Sequence, residues 1–176
     1  NGVCVQPQGL HDISVSDLHF MLNDTIVNNN LIVNKSYKIL IDVKNKGNFT
    51  ENVTFEGKIF QGNVVKKTFT HAAINNFVPG DVKDDKSRTV LFDLNPGIYN
   101  VSVMGVILVL DANPGDNIDM KQITLIICNV NNDCPLGLIC QNPGNIGSFC
   151  KNETIIWSNM KSSFISSKLL YRKSLN

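Results

Sequence analysis

Residues 12 to 127 form a series of short segments in which apolar and polar residues alternate, and this pattern constrains the fold most strongly. In the clearest segment, Tyr37, Ile39, Ile41 and Val43 alternate with lysine, leucine and aspartate. Successive side chains of a β-strand point to opposite faces, so this spacing is typical of a strand with one buried face. Before residue 150 no segment sustains the helical period of about 3.6 residues. The pattern therefore predicts an all-β fold.

Turn-forming residues divide this region into seven predicted strands. The turns are rich in asparagine, glycine and proline and fall at residues 28–30, 45–47, 61–63, 95–97 and 112–117. The predicted strands are 12–22, 31–44, 53–59, 64–70, 90–93, 98–110 and 122–127. We expect a bulge near Asp17, a polar loop at 74–86, and cover on both faces of the long apolar strand at 98–110. Strands separated by turns every ~8–12 residues predict a β-sandwich.

Five cysteines indicate the compartment of the protein. Cys4 stands alone, and the other four fall within 23 residues: Cys128, Cys134, Cys140 and Cys150. Zinc sites normally use cysteines about two to four residues apart, and this cluster has neither such a pair nor a histidine. We interpret the cluster as a small disulfide-stapled segment, which indicates an oxidising, extracytoplasmic setting. Spacing alone leaves all three pairings of the four cysteines open.

The asparagines point to the same compartment. Of 24 asparagines, six stand in the Asn-x-Ser/Thr sequence that accepts N-linked glycans: Asn23, Asn34, Asn48, Asn52, Asn100 and Asn152. That is roughly twice the number expected by chance from the composition. Together with the cysteines, these motifs predict an N-glycosylated extracellular or cell-surface protein. The longest apolar run, at 101–110, is shorter than the ~20 residues of a spanning helix, so no transmembrane segment is predicted.

The charge balance excludes several classes of partner. Lysine and arginine number 16 against 15 acidic residues, a formal net charge of +1. Such a chain has no basic field for nucleic acid or for an anionic membrane surface. The sequence also begins without the pattern of a signal peptide, so we expect any such peptide to have been removed.

No motif predicts an enzyme, because the nucleophile-elbow, zinc-protease and nucleotide-binding patterns are all missing from the sequence. The three histidines, His11, His19 and His71, are interpreted as structural. No cofactor is expected, although oxygen-rich loops are the kind of segment that binds Ca²⁺. Weak candidates are Asp111, Asn113, Asp116 and Asp119 in one loop and Asp81, Asp84 and Asp85 in another. Turn formation explains these residues at least as well.

Five motifs occur in a fixed order: DISVSD at 12–17, YKILIDVKNKG at 37–47, FVPG at 77–80, NPGIYNVSV at 95–103 and LDANPGDN at 110–117. Their order over residues 12–127 resembles the CARDB family of prokaryotic, especially archaeal, cell-surface proteins. The resemblance implies an immunoglobulin-like or fibronectin-III-like sandwich that acts as an adhesive, spacer or presenting module rather than as a catalyst. Tyr99, near the start of a late strand, is expected to make a hydrogen bond like that of a tyrosine corner.

The cysteine cluster contains the pattern Asp-Cys-Pro-x-Gly-x-x-Cys and resembles small disulfide modules that recur beside such sandwiches. This resemblance implies that Cys128 pairs with Cys140 and that Cys134 pairs with Cys150. Cys4 is then left over, either as a free thiol or as a link to a second chain.

The sequence therefore predicts four parts: an N-terminal segment (1–11), the sandwich (12–127), a disulfide-rich knob (128–151) and a C-terminal tail (152–176). In the tail, Ile156, Met160 and Phe164 have the spacing of an amphipathic helix, and a strand is the alternative. The tail either packs back on the sandwich or docks on the open sheet edge of another subunit.

The predicted function is that of a secreted structural or adhesive module. It would self-associate into an extracellular filament or surface layer, or join other surface proteins. The alternative is a monomeric binding module that recognises a glycan or a protein through its loops or its knob.

Overall fold

Ten strands form a sandwich of two sheets, and two more form a hairpin in the knob. The computed structural model describes residues 9–134 and 138–152, and every count here refers to them. The sandwich strands are β1 (Ile13–Leu22), β2 (Thr25–Val27), β3 (Asn30–Ile32), β4 (Ser36–Asn45), β5 (Glu51–Gln61), β6 (Val64–Phe69), β7 (Ile74–Phe77), β8 (Val82–Leu91), β9 (Gly97–Val106) and β10 (Ile118–Ile126). The knob hairpin is β11 (Leu138–Gln141) and β12 (Phe149–Asn152).

The smaller sheet has the strand order β2-β1-β4-β8, and the larger sheet has the order β3-β10-β9-β5-β6, with β7 also paired to β5. The strands are antiparallel, except that β3 runs parallel to β10 among the described pairs. This architecture confirms the predicted all-β sandwich. It leaves β8 as an edge strand of the smaller sheet and β6 as an edge strand of the larger one.

One apolar core lies between the two sheets and is built from alternate residues of the strands. Ile39 and Ile41 of β4 are fully buried, as the alternation predicts. The Phe92 ring packs edge to face with Tyr37 and Phe20, with ring centroids 5.5 Å and 6.2 Å away. A slip of one residue would turn these side chains to solvent, so the core fixes the register of the strands.

The bulge expected near Asp17 is confirmed. The register between β1 and β4 shifts between Ser16 and His19, and Asp17 has a φ of 54°. At this point the amide of Leu18 donates a hydrogen bond to Oδ2 of Asp119, at 2.8 Å. The bulge changes which side chains of β1 face the core.

The predicted number of strands is wrong, because edge strands and very short strands show no clear alternation. The segment predicted as a polar loop, 74–86, contains β7 and the first half of β8. β8 is an edge strand that pairs with β4 on one side only. Most of its side chains are exposed, and several of them are charged. Such a strand lacks the apolar residues that give a periodic signal.

Three predicted strands also differ in their bounds. The strand predicted at 31–44 is divided at Asn34, whose φ of 59° interrupts the extended chain, and its two parts join different sheets as β3 and β4. The strand predicted at 98–110 ends at Val106, so that residues 107–110 leave the sheet. The last sandwich strand begins at Ile118 rather than at residue 122.

The hydrogen bond expected of Tyr99 is confirmed. Its hydroxyl donates to the carbonyl of Asn95 at 2.8 Å, across the turn before β9. Burial raises the pKa of this hydroxyl.

Replacing Tyr99 with phenylalanine removes this bond and keeps the ring. We expect the free energy of unfolding to fall by about 1 kcal/mol, measured by urea titration. An unchanged urea midpoint would show that the bond does not stabilise the turn.

Two disulfides hold the knob, Cys128 to Cys140 and Cys134 to Cys150, which is the pairing that the resemblance implies. Ser148 ties the knob to the end of β10, because its hydroxyl accepts hydrogen bonds from the amides of Ile127 and Cys128. Cys4 and nearly all of the predicted tail lie outside the described residues. The division of the chain into four parts stays a prediction.

Within the described residues, no helix has the length and apolar character needed to span a membrane.

Candidate functional site

The two ends of the sandwich carry different chemistry. The acidic pole consists of the start of β1, the β4–β5 turn and the β9–β10 loop, which the strand pairing brings together. The knob pole consists of β3, the end of β10 and the knob. Gly9 lies beside Phe49 at the acidic pole, and the hairpin of β11 and β12 lies at the knob pole.

Asn45 organises the β4–β5 turn. Its side chain is fully buried, and its Nδ2 donates to the carbonyls of Phe49 at 2.8 Å and Phe77 at 2.7 Å. Its Oδ1 accepts from the amide of Gly47 at 3.0 Å. One side chain therefore bonds two backbone groups of the turn and ties the turn to the end of β7.

Gly47 allows the turn to lie directly against the chain before β1. A Cβ atom at this position would be 2.4 Å from the carbonyl oxygen of Leu10 and 2.8 Å from the amide of Asp12. The amides of Lys46 and Gly47 both donate to the carbonyl of Asp12, at 2.8 Å and 2.9 Å. This close approach fixes Asp12 at the acidic pole.

Three carboxylates from two distant parts of the sequence converge there. One oxygen from each of Asp12, Asp111 and Asp116 lies within 4.8 Å of the others, and Lys46 Nζ is 2.7 Å from Asp116 Oδ2. One ammonium group does not balance three carboxylates, so the cluster keeps an excess of negative charge. Burial, and then repulsion from Asp116 and Asp111, raises the pKa of Asp12. The hydrogen bond to Asp116 raises the pKa of Lys46.

The cluster has oxygen atoms that fit a divalent cation. Asp12 Oδ1 and Asp116 Oδ1 are buried and have no hydrogen-bond partner among the described residues. Asp111 holds its place through its two oxygens, which accept from the amides of Ile13 at 3.1 Å and Asn113 at 2.7 Å. Ca²⁺ takes about 6–8 oxygen ligands, and carboxylates are its usual protein ligands.

The structure separates the residues that the sequence singled out for calcium. Asp111 and Asp116 lie close together at the acidic pole. Asp119 lies apart from them and accepts a hydrogen bond from the amide of Leu18 at the bulge of β1. Asp12 was not predicted, because about a hundred residues separate it from the loop and only the strand pairing brings it near. The other group, 81–85, runs along edge strand β8 and forms no converging set among the described residues.

His11 forms a second polar contact at the acidic pole. Its Nδ1 is 2.6 Å from Oε1 of the buried Glu51, and its ring stacks on Phe49 with a centroid distance of 4.3 Å. Leu108 and Leu110, in the loop that leaves β9, are 97% and 92% exposed. The acidic pole therefore combines carboxylates with an exposed apolar loop. Exposed apolar patches beside polar residues are a feature of interaction surfaces.

At the knob pole, a salt bridge joins the knob to the sandwich. Lys35 Nζ lies 2.7 Å from Asp133 Oδ1. Burial opposes the charge of Asp133, but Lys35 and the amides of Asn129 and Val130 lower its pKa. A groove of about 380 Å³ runs beside this contact, between the knob and strands β2 to β4.

The six predicted glycan acceptors occupy different environments. Asn23 and Asn34 are exposed in turns and have positive φ, and Asn48 and Asn52 are exposed near the start of β5. Asn100 lies half-buried in the middle of β9, and Asn152 is the last residue of β12.

His71 is a buried histidine whose two ring nitrogens have no hydrogen-bond partner among the described residues. Its ring packs against Phe55 and Phe69. Burial, with repulsion from Lys86 and Arg88, lowers its pKa from 6.5 to about 4.

Acid is therefore expected to destabilise the fold through His71. The unfolded chain takes up a proton below pH 6.5, whereas the folded protein does so only near pH 4. The stability contributed by the neutral ring is complete above pH 6.5 and is lost as the pH falls towards 4. At pH 4.5 the loss is up to about 2.5 kcal/mol.

Urea titrations at pH 7.5 and 4.5 check this expectation. In a His71→Leu variant, the difference in unfolding free energy between the two pH values should shrink by that amount. An equal difference in the variant and the parent protein would exclude His71 as its cause.

Comparison with known proteins bears on the fold. No family model matches the chain, and no curated protein matches it. Among solved structures, the chain is similar to the CARDB domain of a Pyrococcus furiosus protein in complex with di-metal ions. The two are 15% identical, the TM-score is 0.50, and the match covers 69% of this chain and 99% of that domain. This likeness shows the fold. The sandwich shares its fold with that CARDB domain, as the resemblance of the sequence motifs implies.

Two other solved structures are more distantly similar. The C-terminal domain of Wzt is 15% identical, with a TM-score of 0.48 and coverage of 68% of this chain and 76% of that one. The alkylpurine DNA glycosylase AlkC of Pseudomonas fluorescens is 11% identical, with a TM-score of 0.46, and the match covers 65% of this chain but 30% of that protein.

Proposed function

We propose that the protein is a secreted, N-glycosylated structural or adhesive module of a cell surface that has no enzymatic activity. The observation that carries the proposal is the route of the chain through a CARDB-type sandwich. β1 begins at the acidic pole and β10 ends at the opposite knob pole, a route through the sandwich that suits modules joined end to end. The two disulfides support an oxidising, extracellular location.

Self-association is the second part of the proposal, and edge strand β8 is its best-supported surface. β8 has 10 residues and pairs with β4 on one side only, so its other side offers backbone groups to an added strand. The added strand would come from the C-terminal tail of another subunit.

Deletion of residues 155–176 tests this docking. We expect the full chain to form assemblies and the shortened chain to remain monomeric, as measured by light scattering and electron microscopy. Assemblies that persist unchanged after the deletion would contradict docking by the tail.

The acidic pole supports a further proposal, that Asp12, Asp111 and Asp116 bind a divalent cation such as Ca²⁺. The convergence of their oxygens supports it, together with the two buried oxygens that lack partners. The similar Pyrococcus domain was solved in complex with di-metal ions. The cation would join the residue before β1 to the β9–β10 loop.

Calorimetric titration and thermal melting test the cation proposal. Ca²⁺ should bind and raise the Tm of the parent protein after treatment with EDTA. An Asp12→Asn variant should lose this response, whereas Asp84→Asn, an exposed change on β8, should keep it. A parent protein that releases no heat and keeps its Tm would contradict cation binding.

The alternative function, a monomeric binding module, is favoured by the groove at the knob pole. Its lining offers both apolar and amide side chains, including Ile26, Asn28, Asn30 and Val130. Such a mixture is typical of small-ligand and glycan sites. A glycan array should then give saturable binding that Ile26→Ser weakens, and an array without hits would count against the glycan version.

A further inference from the structure

The outer face of the larger sheet carries several exposed apolar side chains near its centre. Ile98 of β9 and Met120 of β10 point outward and are 50% and 55% exposed, and Val65 of β6 is 45% exposed. The sequence predicted that the long strand now seen as β9 is covered on both faces. Within the described residues, its inner face is buried in the core and its outer face carries no second layer.

Asn100 lies in the middle of this face. In the strand register it stands directly opposite Phe60 of β5 on one side and Gln122 of β10 on the other. Ser102, two residues on, points to the same face and stands opposite Met120. Asn100, Phe60 and Met120 together line a shallow cavity of about 350 Å³.

These residues place a glycan acceptor within an apolar surface. Asn100 and Ser102 are the first and third residues of an Asn-x-Ser sequence, whose asparagine amide accepts an N-linked glycan. Side chains directly across an antiparallel pair are about 5 Å apart, and diagonal neighbours about 7–8 Å apart. A sugar on Asn100 therefore begins beside the Phe60 ring and within reach of Met120.

We propose that Asn100 carries an N-linked glycan whose first sugars lie on this apolar face and cover Phe60 and Met120. The C–H groups of a pyranose ring give it an apolar side that packs on an aromatic ring, while its hydroxyls face water. The glycan thereby supplies the missing layer over β9. Asn23 and Asn34 differ, because they are exposed in turns. This inference rests on the proposed secretion and glycosylation of the protein.

The test compares variants secreted from a host that glycosylates Asn-x-Ser/Thr sequences. Ser102→Ala removes the acceptor sequence at Asn100 and keeps the asparagine, and Ser102→Thr preserves it. Thr25→Ala, at the exposed first residue of β2, is the matched control that removes a different acceptor, Asn23. Peptide mass mapping should find Asn100 occupied in the parent protein and in Ser102→Thr.

The fluorescence of a dye that binds apolar surface measures whether the glycan covers this face. We expect at least about a twofold rise and a lower Tm in Ser102→Ala, with neither change in Thr25→Ala. Because Ser102 is buried, the same proteins are also made in a host without N-glycosylation. There the Ser102→Ala and parent proteins should bind the dye equally.

Three outcomes would overturn the inference. If Asn100 is bare while other acceptors carry glycans, the inference fails and the proposed glycoprotein stands. If Asn100 is occupied but dye binding does not change on its loss, the glycan does not cover the face. If no acceptor is occupied, both the inference and the proposed glycosylation fail.

Discussion

Replacing Asn45 with alanine is expected to lower the free energy of unfolding by about 3 kcal/mol, which is a large part of the stability of a domain of this size. The change leaves the carbonyl of Phe49 in the β4–β5 turn and the carbonyl of Phe77 at the end of β7 without the side-chain amide that donates to both. The amide of Gly47 keeps its bond to the carbonyl of Asp12. Buried polar groups without partners are costly because folding removes them from water. Urea titration at neutral pH measures the loss.

Two further variants sharpen this test. Asn45→Asp keeps the size of the side chain but turns its donor into an acceptor that faces two carbonyls, so an equal or larger loss is expected. Asn28→Ala removes one exposed hydrogen bond, to the amide of Asn30, and should cost less than about 1 kcal/mol. A loss for Asn45→Ala as small as that for Asn28→Ala would show that Asn45 does not organise the acidic pole.

Replacing both Cys128 and Cys140 with alanine is expected to unfold the knob while the sandwich stays folded. A two-stranded hairpin such as β11–β12 is marginally stable on its own. In the chain-entropy account, a disulfide that closes a loop of this length raises the free energy of unfolding by about 3 kcal/mol. The amides of the knob should lose their protection from hydrogen exchange, whereas those of β4, β5 and β9 should keep it.

The second disulfide provides the matched comparison. Cys128 is fully buried at the end of β10, whereas Cys134 and Cys150 are half-buried within the knob. Loss of the Cys134–Cys150 pair should therefore expose the knob but lower the Tm of the sandwich less than loss of the Cys128–Cys140 pair. Knob peptides that remain protected in both double variants would contradict the role given to the disulfides.

Local chemistry explains which parts of the fold could be predicted. The alternation of Tyr37, Ile39 and Ile41 reports one buried face, so the central strands and the sandwich followed from the sequence. The bulge at Asp17 and the hydrogen bond of Tyr99 also leave local signs, since each depends on a few neighbouring residues.

The remaining features depend on residues that meet only after folding. Edge strand β8 has few buried side chains, so its pairing with β4 leaves no period in its sequence. The acidic cluster needs Asp12 from one end of the sandwich sequence and Asp116 from the other, and no local spacing connects them. Asn45 resembled an ordinary turn residue, because its contact with Phe77 crosses 32 positions.

These features stabilise the two ends of the sandwich in different ways. The disulfide knob braces the end at which the described chain leaves the sandwich. The acidic pole holds the other end through Asn45, Gly47 and the carboxylate cluster. In the proposed function, these two ends are the points at which one module meets the next.

Intact mass spectrometry of the protein isolated from its natural source, before and after treatment with glycosidase and reductant, tests whether it is a secreted, glycosylated surface module. We expect a mass that falls in whole-glycan steps on treatment with glycosidase. Reduction should then add four hydrogen atoms for the two disulfides, and any further change would report the state of Cys4. A mass that changes neither with glycosidase nor with reductant would contradict the claim that this is a secreted, glycosylated surface module.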